Sequence, residues 1–173
     1  MLKKYKPIVV VSGEPEGTFL EIFIKALKYK NFKTPLILIC SLDLKKNEIK
    51  RLKFKKKIKI LNEKNLNNIK INNDYINLIN IDFDNQKKNI SKYIANSFDI
   101  AFKLIKDKFT NKFINGPINK RDFLKKDFLG ITEFVTKKFN IKKTAMLIFN
   151  KEISVCPITT HLPLKVVPSK INK

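Results

Sequence analysis

Short, continuous runs of β-branched and aliphatic residues alternate along this chain with segments whose apolar residues return every three or four positions. No other feature constrains the fold as much, because a strand that is apolar at every position must be covered on both faces. Ile8–Val11 and Pro35–Cys40 are such runs, and Ile58–Leu61, Tyr75–Ile81 and Lys112–Asn115 read as further strands. Phe19, Phe23, Ala26 and Leu27 recur at helical spacing after Thr18-Phe19-Leu20-Glu21, a capping-box pattern. Ser41 is placed to cap a helix carrying Leu44, Ile49 and Leu52. Ile90, Ile94, Phe98, Ala101 and Ile105 mark a long amphipathic helix. Strands alternating with helices predict a layered α/β fold with a largely parallel sheet.

The one expected domain boundary follows Gly116-Pro117, giving a first α/β domain over 1–117 and the start of a second, incomplete, over 118–173. In that second stretch Thr132 reads as the N-cap of the apolar-periodic segment Phe134–Phe139. Thr144–Phe149 and Ile153–Ile158 read as two strands around a turn at Asn150-Lys151. Pro163–Lys170 reads as the approach to a helix, with Pro and Ser as start signals. Only four residues follow Ser169, so the fold is expected to be truncated there.

Composition narrows the class. The chain has 173 residues, 43% of them hydrophobic, and carries no low-complexity tract, which suits a globular protein with a real core. No apolar run approaches the ~20 residues of a membrane helix. Met1-Leu2-Lys3-Lys4-Tyr5-Lys6-Pro7 leads straight into a strand without a signal-peptide pattern, so the cytoplasm is the expected location. Cys40 and Cys156 share no metal or redox spacing and read as two reduced core thiols.

The formal charge of +22 attracts phosphates in principle. Only Arg51 and Arg121 are arginines, however, and sequence-reading proteins lean on the bidentate guanidinium. Lysines are spread along the whole chain beside abundant Asn, Ile and Phe, which is the output of an AT-rich coding sequence. No specific nucleic-acid partner is expected; a lysine-rich, non-catalytic nucleic-acid-binding module is the reading left over from another class. Lys53-Phe54-Lys55-Lys56-Lys57 reads as a solvated loop between helix and strand.

Four glycines remain where average usage gives about twelve. Each of Gly13, Gly17, Gly116 and Gly130 stands at a turn after a strand or just before a helix. In open α/β sheets ligands bind at the carboxyl ends of strands, so these turns are where a site is sought.

Those turns carry a family likeness. Ser12-Gly13-Glu14-Pro15-Glu16-Gly17 resembles the Gly-[Asp/Glu]-Pro-x-Gly motif of 4-hydroxythreonine-4-phosphate dehydrogenases. Asn115-Gly116-Pro117-Ile118-Asn119-Lys120 resembles their Gly-Pro-x-x-Lys segment, and Gly130-Ile131-Thr132-Glu133-Phe134 their Gly-His-Thr-Glu-[Phe/Tyr] motif. Thr159-Thr160-His161-Leu162-Pro163-Leu164 resembles their Thr-Thr-His-[Leu/Ile]-Pro-Leu motif. With four motifs in order across the chain, it resembles the N-terminal half of that family.

The resemblance implies an isocitrate/isopropylmalate-dehydrogenase-like α/β/α fold and a homodimer. It also implies NAD-dependent oxidation of 4-phosphohydroxy-L-threonine with decarboxylation, in the biosynthesis of pyridoxal 5'-phosphate, assisted by a divalent metal (Zn, Mg or Co) on three histidines. His161, the single histidine, matches the first metal ligand of the motif. Thr132 matches a substrate-gripping hydroxyl, and Lys120 a lysine near the substrate that could serve catalysis. Glu14 fits either a turn role or a position facing the cleft, and Glu21 is accounted for by the capping box.

Two departures stand out. Ile131 occupies the place of a substrate-binding histidine and can neither hydrogen-bond nor titrate. Phe19 and Leu20 replace the next glycine and proline of the first motif. A sister dehydrogenase of phosphorylated sugar acids such as 4-phosphoerythronate, and an inactive decayed fragment, are therefore the alternatives. No Gly-x-Gly-x-x-Gly fingerprint is present, so no residue is assigned to the nucleotide.

Overall fold

All of β1 (Ile8–Val11) and β2 (Leu36–Cys40) is buried except the first residue of each. Such strands belong inside a sheet covered on both faces. In the computed structural model, which describes residues 5–83, 89–125, 127–159 and 162–171, they pair with one another in parallel. β3 (Ile58–Ile60) and β4 (Ile76–Asn80) extend the sheet beyond β2, and β5 (Phe113–Asn115) adds to the far side of β1. The order is β3-β4-β2-β1-β5, and every ladder is parallel.

Successive strand residues face opposite layers. Val10, Leu38, Cys40, Ile76 and Leu78 pack under α1 (Phe19–Tyr29) and α2 (Leu42–Arg51), with Leu20, Phe23 and Ile24 buried among them. α3 (Ile90–Lys106) lies against β1 and β2 and buries Tyr93, Ile94, Phe98, Ala101 and Phe102. Phe98 and Phe102 both meet Phe113 of β5 edge-on, at 6.3 and 5.9 Å between ring centres. The result is a helix–sheet–helix sandwich, as the alternating pattern implies. Asn89 caps α3 by accepting from the Lys92 amide at 3.1 Å.

Two helix starts differ from expectation. Thr18 precedes α1 in helical backbone conformation and makes no side-chain cap bond. Glu21 instead makes ion pairs at 2.6 Å with Lys25, one turn on in α1, and with Arg51 of α2. Ser41 does stand at the start of α2, but its hydroxyl makes no cap bond. Lys53–Lys57 is a loop between α2 and β3; Lys53, Lys55 and Lys57 are exposed while Phe54 packs against the core. Among the described residues no helix is long and apolar enough to cross a membrane.

The chain divides into two compact units, Met1–Asn119 and Lys120–Lys173. Unit 1 is the sandwich. Unit 2 contains α4 (Lys120–Phe123), α5 (Ile131–Lys138) and a 3-10 turn over Leu164–Lys170. Phe134 of α5 packs edge-on against Phe123 and Phe128, at 5.4 and 5.3 Å. The strand pair expected over 144–158 is reduced to one antiparallel bridge, Ile148 to Val155, with amide bonds of 2.8 and 2.9 Å. Cys156 is accordingly exposed rather than a core thiol; Cys40 is buried, and burial pushes its pKa to about 12. The last helical turn starts after Pro163, not after Ser169.

Candidate functional site

The strand order reverses at β1. From β1 the chain runs out through β2 to the β3 edge, and from β4 it returns across the sheet to β5 on the opposite side. The loops that leave the carboxyl ends of β1 and β5 therefore flank a topological switch point, where open α/β sheets hold their ligands. They are the loops that carry Gly13-Glu14-Pro15 and Gly116-Pro117.

The two loops are in direct contact. Gly13 has φ +75, the left-handed region, and a Cβ there would lie 2.2 Å from the Pro117 carbonyl oxygen. A Cβ on Gly116 would lie 2.2 Å from the Ser12 carbonyl oxygen. No side chain fits either place, which is the physical reason this glycine-poor chain keeps both. The Gly116 amide donates to Val11 O at 2.7 Å and the Glu14 amide to Pro117 O at 3.0 Å. The Glu14 carboxylate in turn accepts from the Asn119 amide at 2.7 Å.

Behind the loops, one buried hydroxyl ties strand ends together. Tyr93 O–H accepts from the Ser41 amide at 3.0 Å and meets Ser12 Oγ at 3.2 Å. Burial pushes this phenol up to about 12, so it stays protonated and serves as a fixed hydrogen-bonding post. Phe83 packs on it edge-on at 5.1 Å. Sequence reading passed over Tyr93, whose place on the apolar stripe of α3 was the available signal.

Lys45 was missed as well. It is 0% exposed, its Nζ has no hydrogen-bond partner, and the Phe23 ring centre lies 5.6 Å from it. Burial lowers its pKa to about 8, with the nearby Cys40 acting in the opposite direction. Its spacing from Leu42, Ile49 and Leu52 puts it in the middle of the inward stripe of α2.

Unit 1 thus brings Gly13, Glu14, Gly116, Pro117 and Asn119 together at the switch point. Lys120 is exposed and opens α4. Ile131 and Thr132 are the first two residues of α5, each half-buried. Thr132 is not the cap: Gly130 holds that position in extended conformation, which shifts Thr132 into the first turn. Thr132 O accepts from Thr136 Oγ1 at 2.7 Å. His161 lies outside the described residues. Among the described residues no group of three or more His, Cys, Asp or Glu side chains could hold a metal ion.

Comparison with known proteins shows the family and the fold. A family model described as "Pyridoxal phosphate biosynthetic protein PdxA" matches residues 20–173. The chain is 29% identical over 172 residues to a 4-hydroxythreonine-4-phosphate dehydrogenase of Sulfurihydrogenibium sp., covering 96% of this chain and 53% of that protein. Crystal structures of 4-hydroxythreonine-4-phosphate dehydrogenases superpose with TM-scores of 0.77 (Burkholderia phymatum, 15% identity) and 0.78 (Klebsiella pneumoniae, 19% identity). These cover 96% and 99% of this chain but 54% and 55% of the solved ones, so the chain spans about half the length of these relatives. With nearly all of its length matched by the family model, the chain belongs to the pyridoxal phosphate biosynthetic protein PdxA family.

Proposed function

We propose that this chain forms part of a 4-hydroxythreonine-4-phosphate dehydrogenase. Such an enzyme oxidises the hydroxyl of 4-phosphohydroxy-L-threonine with NAD as hydride acceptor, and the resulting β-keto acid loses carbon dioxide on the way to pyridoxal 5'-phosphate. The observation that carries this reading is the family match over residues 20–173. Two of the four motif segments meet at the switch point of unit 1, which supports it.

In this reading the Lys120 ammonium contacts the substrate, and the Thr132 hydroxyl, in the first turn of α5, grips its phosphate. Ile131 contributes only apolar surface, so recognition at that position is weaker than a histidine would give. His161 supplies one ligand to a divalent ion. The described residues do not fit a complete metal centre, which takes about three protein ligands. A homodimer in the cytoplasm belongs to the same proposal, supported by family membership.

Fusing the chain to the portion of the Sulfurihydrogenibium relative that it does not span, and following NADH production, tests the proposal. Turnover of 4-phosphohydroxy-L-threonine is expected. Turnover of 4-phosphoerythronate instead would assign the sister activity that the Ile131 replacement suggests. Silence on both, with the intact relative active alongside, would contradict the enzymatic reading.

A further inference from the structure

We infer that Glu14 is a positioning residue, whose carboxylate latches the loop after β5 onto the loop after β1. The parallel ladder between these strands runs from the Val9 amide on Lys112 O, at 3.2 Å, to the Gly116 amide on Val11 O, at 2.7 Å. Gly13 then turns the chain out of strand conformation, at φ +75, and the regular ladder ends. Glu14 takes over at that point with two bonds: its amide gives to Pro117 O at 3.0 Å, and its carboxylate receives the Asn119 amide at 2.7 Å. One residue thus holds alternate positions of the opposite loop, across a sequence separation of 105.

The glycines make this latch possible but do not replace it. Bare backbone at Gly13 and Gly116 lets the loops approach, and the backbone bond to Pro117 O stops two residues short of Asn119. A carboxylate accepting from a backbone amide is a charge-assisted bond, stronger and more directional than a neutral one. Asn119 is the last residue of unit 1, so the latch fixes the backbone one residue before Lys120. Only the value of that placement for catalysis rests on the dehydrogenase reading; the latch itself does not.

Amide hydrogen exchange on the chain, with Glu14→Ala, Glu14→Gln and Glu14→Asp beside the parent, tests the inference. Glu14→Ala should speed exchange at Asn119 roughly tenfold or more, leaving Val10 and Leu78 unchanged. Glu14→Gln keeps an acceptor oxygen at the same reach and should restore most of the protection. Glu14→Asp, one methylene shorter, should not. An Asn119 amide unmoved by Glu14→Ala, or one that moves together with Val10, overturns the inference. So does a Glu14→Gln protein that behaves like Glu14→Ala. A fusion enzyme inactive on both substrates, with these exchange results intact, would remove the dehydrogenase reading and leave the latch standing.

Discussion

Unit 1 and unit 2 spend similar kinds of residue in opposite ways. In unit 1 the apolar side chains of three layers are buried against one another, and Val9, Val11, Ile37, Leu38, Ile39 and Leu78 are 0% exposed. In unit 2 only Leu124 and Phe134 among the described residues are buried apolar side chains, while Phe149, Ile153 and Ile158 are 73%, 71% and 81% exposed. Both stretches have strand-like sequences. The difference is company: β1 and β2 each have strand neighbours on both sides and helices above and below, whereas 144–158 has one bridge of its own making. Apolar pattern proposes a strand, and partner strands make it one.

The sharpest way to break that contrast is a pair of matched truncations. Phe98→Ala removes a ring that is 0% exposed between α3 and β5 and should cost about 3–5 kcal/mol of stability in urea unfolding. Phe149→Ala, on a side chain 73% exposed, should stay within about 0.5 kcal/mol. Similar losses from the two would show that unit 2 hides a core of its own.

Glycine substitutions sharpen it next. Gly13→Ala must adopt positive φ and meet the Pro117 carbonyl, at a cost of about 3 kcal/mol. Gly130→Ala in unit 2 meets only the flexible end of Glu133, at 2.9 Å, in extended backbone, and should be close to neutral, both variants being read from thermal melts.

Lys45 gives a pH signature confined to unit 1. Its folded pKa is lowered to about 8 from 10.5, so between those values the unfolded chain binds the proton that the folded chain releases. Stability therefore rises with pH across that window, and the penalty is fully present below it. Lys45→Met should raise stability at neutral pH by on the order of 2–3 kcal/mol and flatten the rise between pH 8 and 10.5. A variant no more stable than the parent would mean that the ammonium finds a partner.

Tyr93→Phe is the smallest of these effects. It leaves the Ser41 amide and Ser12 hydroxyl without their shared partner and should cost about 1–2 kcal/mol, read from denaturant midpoints.

What could be read from the sequence follows the same division. The strands of unit 1 and helix α3 declare themselves because continuous apolar runs and a 3.6-residue stripe are local signals. The switch-point loops declare themselves through glycines that a chain with four of them keeps for steric reasons. Where the decisive contact is distant, local rules mislead. Glu21 looks like a capping residue until Arg51 arrives from another helix. Thr132 looks like a cap because its hydroxyl suits one, yet Gly130 holds the cap position two residues earlier. Lys45 looks solvated because lysine usually is, although its spacing from Ile49 and Leu52 argues otherwise. Cys156 and the strands around it look buried because the sequence does not say what, if anything, covers them.

Limited trypsin digestion puts the contrast between the units to the most direct test, since lysines offer cleavage sites throughout. The account predicts rapid loss of 120–173 and a persistent fragment ending near Lys120 that still unfolds cooperatively with the latch of Glu14 on Asn119 at its edge. Cleavage within β1, β2 or α3 as fast as within 144–158, or a fragment that survives but no longer melts cooperatively, would contradict it.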